Sequence, residues 1–173
     1  MAVDLRRLIL MVGVVLFVSS IPATTMANDL SGRWGIGLGW PYLSLKYGIS
    51  PKVSIEGIGA FGEGIGCYGG RLYYNFNPYD RTVLSTGIEA DYVSFDVGIK
   101  DEKEGMKGGG FMGYLFVGGE YFFSDNFTLN LDIGPAYISL PEGKFKLNVS
   151  GIEWLANLGV KIYLGSSVRE KRP

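Results

Sequence analysis

Apolar and polar positions alternate with a period of two along most of this chain. Successive side chains of a strand point to opposite faces, so the pattern predicts strands with two chemically different sides. The clearest stretch runs from Val117 to Leu140, VGGEYFFSDNFTLNLDIGPAYISL. Phe127, Leu129, Leu131, Ile133, Pro135 and Tyr137 share one parity, and Thr128, Asn130, Asp132, Gly134 and Ala136 the other. Just before them, Phe111, Leu115, Val117, Tyr121 and Phe123 lie opposite Tyr114, Gly118 and Glu120. Ser124-Asp125-Asn126 separates the two runs. Asp and Asn side chains bond the local backbone and tolerate unusual φ, so this is turn chemistry. A hairpin with such long arms and one apolar face needs an apolar medium or a second sheet against it.

Six further strands can be read in order. Trp34, Ile36, Leu38 and Trp40 alternate with Arg33, Gly35, Gly37 and Gly39, until Pro41 breaks the run. Leu43, Leu45 and Tyr47 then alternate with Ser44, Lys46 and Gly48. A third strand carries Val53, Ile55 and Ile58, and its parity is disturbed at Gly57 to Gly59, where a bulge is expected. Glu63-Gly64 marks a tip. The fourth sets Tyr68, Gly70, Leu72, Tyr74 and Phe76 against Cys67, Gly69, Arg71, Tyr73 and Asn75. The fifth sets Leu84, Thr86, Ile88, Ala90 and Tyr92 against Ser85, Gly87, Glu89 and Asp91. The last sets Ile152, Trp154, Ala156, Leu158, Val160, Ile162 and Leu164 against Glu153, Asn157, Gly159 and Lys161. Short turns are expected at 49–52, 77–81 and 124–126, and long loops at 96–110 and 141–150. No helix is expected.

The two faces differ in charge. The apolar parity is nearly free of it. The other carries Arg71, Glu89, Asp91, Glu120, Asp132, Glu153 and Lys161. A soluble barrel would put its apolar parity inside and spread charges outside. A charge on the lipid face of a membrane barrel costs about 2–4 kcal/mol at the midplane, so such a face is kept clean. The seven charged residues are therefore expected to form a structural polar network in a lumen, behind a lipid-facing wall. Aromatic residues gather near strand ends: Trp34, Trp40, Tyr42, Tyr74, Phe76, Tyr79, Tyr121, Phe122, Phe123, Phe127 and Trp154. Such clusters suit the girdles at membrane interfaces. Alternating short turns and longer loops is the connection pattern of outer-membrane barrels.

The N-terminus changes the expected compartment. Arg6 and Arg7 precede an apolar run from Leu8 to Val18, and small residues lead to Thr25-Met26-Ala27. This is the pattern of a signal peptide over 1–27, and the run is too short for a membrane helix. A barrel domain is expected over 28–165, and a charged C-terminal tail over 166–173. The formal net charge is −1; losing Arg6, Arg7 and Asp4 makes it −2, which gives no reason to expect nucleic acid. The single Cys, Cys67, cannot form an internal disulfide. The 27 glycines and 14% aromatics are both high for a soluble domain.

Several segments together resemble the small eight-stranded outer-membrane barrels of the OmpA/OmpX kind. They are the signal peptide, LSLKYGISPKVSIEGIGAFG, CYGGRLYYNFNP, LSTGIEADY, GGEYFFSDNFTLNLDIGPAY and LANLGVKIYLG. The resemblance spans nearly the whole chain after residue 27. It implies an all-β fold, an eight-stranded antiparallel up-and-down transmembrane barrel, in the outer membrane of a Gram-negative bacterium. It also implies contact with outer-membrane lipid and with the barrel-insertion machinery. Members usually end on an aromatic residue in the last strand. Here Tyr163 and Leu164 are followed by Gly165 to Pro173, which departs from that signal. No additional peptidoglycan-binding domain is expected.

Candidate chemistry is sparse. Gly57 to Gly62 and Gly64 to Gly69 both match G-x-G-x-x-G. A dinucleotide site needs a helix after the glycine turn, and none is predicted. Glycines that make room inside a narrow barrel are the simpler reading. The chain has no His, which removes the usual base of Ser-His hydrolases and most transition-metal sites. Glu89 and Asp91, facing Glu120 or Asp132, could form a carboxylate pair, and pairing with Arg71 and Lys161 is the simpler account. Asp101-Glu102-Lys103-Glu104 could hold a divalent cation or a partner, or be a solvated loop. The expectations are no catalytic residue, no cofactor and no metal. The expected role is structural or adhesive, with a surface partner through loop 96–110, a monomeric state and no nucleic acid. The alternatives are a narrow carrier or channel for small solutes, and a soluble periplasmic lipocalin-like barrel.

Overall fold

In a computed structural model the chain is a closed antiparallel barrel in which every strand pairs with its sequence neighbours and β1 closes on β8. The structure describes residues 29–39, 42–62, 64–97, 106–140 and 149–165. The strands are β1 (Trp34–Gly39), β2 (Leu43–Gly48), β3 (Val53–Gly62), β4 (Ile65–Asn75), β5 (Thr82–Val97), β6 (Met106–Phe122), β7 (Phe127–Leu140) and β8 (Val149–Leu164). The expected signal peptide and C-terminal tail, Trp40-Pro41 and the 101–104 charge run lie outside the described residues.

The register fixes the geometry of the wall. A line of paired residues starting at Gly37 passes through Ser44, Ile58, Gly69, Asp91, Met112 and Ile138 to Gly151. Gly37's own partner on β8 is Lys161, so the line closes ten residues (161 − 151) out of step. With eight strands, that stagger tilts them by about 40° from the barrel axis. The interior is then narrow enough for side chains to fill.

Three expectations are corrected. The 96–110 loop is shorter, because β5 runs to Val97 and β6 starts at Met106. Gly108 to Gly110 extend the ladder, pairing with Val93 to Phe95, yet three glycines carry no alternation to read. The second loop also shortens, since β8 starts at Val149. β3 has no bulge: its pairings to β2 and β4 keep constant register throughout. Its parity looked broken because Ile58 and Ala60 are apolar residues on the inward side.

The wall is inside out relative to a soluble protein. Leu115 is 59% exposed and Trp154 70%, while Glu120 is 4% exposed and Lys161 1%. Exposed aromatics form two bands. At the end holding the turns 49–52, 76–81 and 123–126, Trp34 meets Tyr47 and Tyr74 meets Phe76, at ring separations of 4.7 and 5.6 Å. At the opposite, loop end, Tyr92 touches Tyr68 and Phe111 at 5.5 and 5.3 Å. On β8, Trp154 and Leu164 mark the two levels; ten residues at this tilt rise about 25 Å, the height of a membrane barrel's apolar band. Tyr42 and Phe122, expected in the girdles, are instead buried inside. Phe122 stacks on Tyr163, and with Leu30 and Val83 they plug the turn end of the lumen.

Close approach to the axis explains the inward glycine at Gly35. A Cβ placed there would sit 2.8 Å from Cε1 of Tyr163. Gly35→Val is expected to lower unfolding stability by about 1–3 kcal/mol through overpacking, measured by urea titration of the refolded barrel.

Candidate functional site

The inward parity of β2 to β8 supplies a column of buried charge. Near the turn end, Glu120 accepts hydrogen bonds from Tyr163 Oη at 2.8 Å, Thr128 Oγ1 at 2.7 Å and Lys46 Nζ at 2.8 Å. Below it, Arg33 Nη2 donates to the Asp125 carbonyl at 2.7 Å and its guanidinium lies over the Tyr163 ring. One level up, Lys161 Nζ lies 3.2 Å from Glu56 Oε1, and Tyr73 donates its hydroxyl proton to Glu56 Oε2. The Tyr73 ring packs against Lys46 Nζ, 4.3 Å from the centroid.

Above these, Arg71 serves two carboxylates from different nitrogens. Its Nε pairs with Glu89 Oε2, and its Nη1 lies 3.1 Å from Asp132 Oδ2. Asp132 Oδ1 accepts from Tyr114 Oη and from Asn157 Nδ2, both at 2.9 Å. These bonds cross the lumen: Lys46 on β2 reaches β6, and Arg71 on β4 reaches β7. The column therefore ties non-adjacent strands together where the ladder cannot. Beside it, Tyr73, Tyr114, Phe116 and Ala136 form an apolar cluster.

The seven residues expected in the lumen are placed as follows. Arg71, Glu89, Glu120, Asp132 and Lys161 lie in the column, each in an ion pair. Asp91 is buried at the column's loop end beside Glu89 and forms no ion pair of its own among the described residues. Glu153 differs. It has the inward parity but is exposed, because β8 continues past Gly39, the end of its β1 neighbour. Lys46 and Glu56 belong to the column and were missing from the expected set. Lys46 carried the right signal, opposing Leu45 and Tyr47 in a clean alternation. Glu56 was hidden by the irregular parity of β3. The tyrosines Tyr73, Tyr114 and Tyr163 give no charge signal at all.

Neither glycine motif opens a helix. Both fall in the β3–β4 hairpin, where Gly64 takes a φ of 72° at the tip. No group of three or more metal-ligating side chains occurs among the described residues. The geometry is that of a filled polar lumen, with each paired carboxylate held by a cation from another strand.

The sequence matches no protein-family model and no curated protein. Among solved structures, the N-terminal β-barrel domain of Pseudomonas aeruginosa OprF is similar. The TM-score is 0.53 at 14% identity, over 76% of this chain and 94% of that one. The chain thus shares the eight-stranded closed antiparallel barrel fold of the OprF N-terminal domain, the fold of the OmpA-like barrels.

Proposed function

We propose that this protein is a bacterial outer-membrane barrel with a structural or adhesive role, presenting its loop end at the cell surface. One observation carries the reading: the exposed wall is apolar over about 25 Å between two aromatic bands, and the charge is inside. Only a lipid exterior stabilises that arrangement, since the wall would aggregate in water. The cross-lumen ion pairs fill the interior, which favours a structural role over a carrier or channel. The role is non-catalytic: no His is present to act as a base near neutral pH. The surface partner would meet the connections before β6 and before β8, both at the loop end. In this setting the first 27 residues act as an export signal, and contact with lipid and with insertion machinery follows.

The test is a gel-mobility comparison on the detergent-extracted outer-membrane fraction. The unboiled band is expected to run faster than the boiled one, because a closed barrel resists the detergent. Recovery in the soluble periplasmic fraction with no mobility difference would overturn the reading and make the apolar parity a core.

A further inference from the structure

We infer that the outer wall carries a binding site for one phospholipid of the turn-end leaflet, with an acyl chain over Gly119 and the phosphate at Arg81. The inference rests on the lipid-exterior reading and adds a position and a headgroup chemistry to it. Gly119 has the outward parity on β6. Its row of paired residues runs Leu84, Gly119, Leu131, Leu158 across β5 to β8, so one side chain is missing from a row of leucines. Val117 and Tyr121 stand on either side of the gap along the strand. The gap opens into a groove of about 380 Å³ on the lipid face, walled by Leu84, Val117, Tyr121, Leu131, Ile133 and Leu158. From Leu129 to Ile133 on β7 it rises about 10 Å at the barrel's tilt. That is less than half of the apolar band, so an occupant lies within one leaflet. The groove starts at the turn-end aromatic band, where Phe76 lines it.

Aliphatic walls alone would accept any hydrocarbon, and the mouth of the groove supplies the selectivity. Arg81 stands there, directly before Thr82, which pairs with Tyr121. Its Nε donates to the Phe122 carbonyl at 2.9 Å and its Nη2 to the Phe123 carbonyl at 3.4 Å. The guanidinium lies over the Tyr121 ring, 5.2 Å from the centroid. Tyr121 is only 6% exposed despite its outward parity, with Arg81 on its face and Phe123 against it. The cation is thus fixed by two carbonyls and a ring, all neutral. No carboxylate pairs with it among the described residues. Its neighbour Asp80 is engaged with Asn77 Nδ2 at 2.9 Å. Two of the five guanidinium N–H groups are used, which leaves the others to grip an anion. At the level of an aromatic girdle that anion is a lipid phosphate, whose oxygens suit the planar fork of arginine. One fixed cation above one acyl-sized groove selects a phosphate-bearing lipid over a neutral one.

The test uses the full chain refolded in detergent micelles, with the Gly119 amide and the Arg81 Nε–H followed by proton–nitrogen NMR. Dilauroyl phosphatidylglycerol, dilauroylglycerol and inorganic phosphate are titrated in turn. Saturable shifts of both signals are expected with the phospholipid. Dilauroylglycerol, which lacks the phosphate, is expected to need at least about a tenfold higher mole fraction in the micelle. Gly119→Leu fills the gap and is expected to weaken the phospholipid response at Arg81 at least about tenfold. A Cβ at Gly119 meets Leu84 Cδ2 at 3.4 Å, an ordinary contact, so the wall accepts the side chain. Arg81→Gln is expected to make the two lipids equal at Gly119. Shifts that grow without saturation would overturn the proposal, because they mark bulk exchange of lipid for detergent. So would an Arg81 signal that saturates equally with inorganic phosphate while the phospholipid leaves Gly119 unshifted. A concentration-dependent dimer that covers Gly119 would overturn it too. These readings come from the wild-type barrel, once the gel-mobility comparison has shown it closed and detergent-embedded. Their failure is therefore distinct from failure of the lipid-exterior reading.

Discussion

Arg71→Met is expected to be the most damaging single substitution in the lumen, costing about 3–5 kcal/mol of unfolding free energy. Arg71 is 4% exposed, and its guanidinium holds Glu89 and Asp132 through separate nitrogens. Removing it leaves Glu89 and Asp132 buried without their shared cation, in a lumen that also buries Asp91. Lysine is a poor substitute, because a single ammonium cannot reproduce the planar fork that reaches both partners. Arg71→Lys should therefore lose an intermediate amount. The triple neutral variant Arg71→Met, Glu89→Gln, Asp132→Asn should recover more than half of the loss. It removes the unpaired charges together, and replacing a buried ion network by neutral groups is often close to neutral. Urea unfolding in phospholipid vesicles, followed by tryptophan fluorescence, measures all three. A loss below about 1 kcal/mol for Arg71→Met would mean that water reaches the site and screens it.

Val117→Arg is expected to cost about 2–4 kcal/mol in the same vesicles, although nothing in the protein packs tightly on this side chain. Val117 is 59% exposed on the outer face of β6, roughly midway between the aromatic bands. The cost is that of placing a guanidinium in hydrocarbon. In a barrel surrounded by water the same change at an exposed position would stay within about 0.5 kcal/mol. The substitution thus separates a lipid exterior from an aqueous one without reference to any loop or ligand. Paired with Arg71→Met, it probes both sides of one wall: loss of a charge is costly inside, and gain of one is costly outside.

Much of this architecture is written in the one-dimensional pattern. Period-two alternation is local, so each strand announces its two faces without any partner. The charge-free parity of β8 from Ile152 to Leu164, against Glu153, Asn157 and Lys161, suffices to say which face meets an apolar medium. Turns at Asn77-Pro78 and Ser124-Asp125-Asn126 are equally local, because Pro, Asn and Asp bias their own backbone. Where the pattern lapses, the reading lapses with it. Gly108 to Gly110 continue β6 without a side chain to mark a face, and Ile58 and Ala60 point inward with the chemistry of the outside.

Pairing across the lumen is a different kind of fact. Alternation makes Lys46, Arg71, Glu120 and Asp132 inward candidates and passes over Glu56, but the partners of all five depend on a stagger of ten residues around eight strands. That stagger is a property of the closed ring and of no single strand. It carries Lys46 to Glu120 and Arg71 to Asp132. It leaves Glu153 above the end of β1, in the open. It also leaves Asp91 outside the ion pairs of the column among the described residues. Parity rather than stagger puts Tyr42 inside with Ser44 and Lys46, and Phe122 inside with Glu120. Where the alternation is clean, the sequence by itself determined which residues face inward, since side-chain direction in a strand follows from parity alone. Only the closed barrel decided which of those charges meet, because the tilt and register of the whole wall set the distances between them.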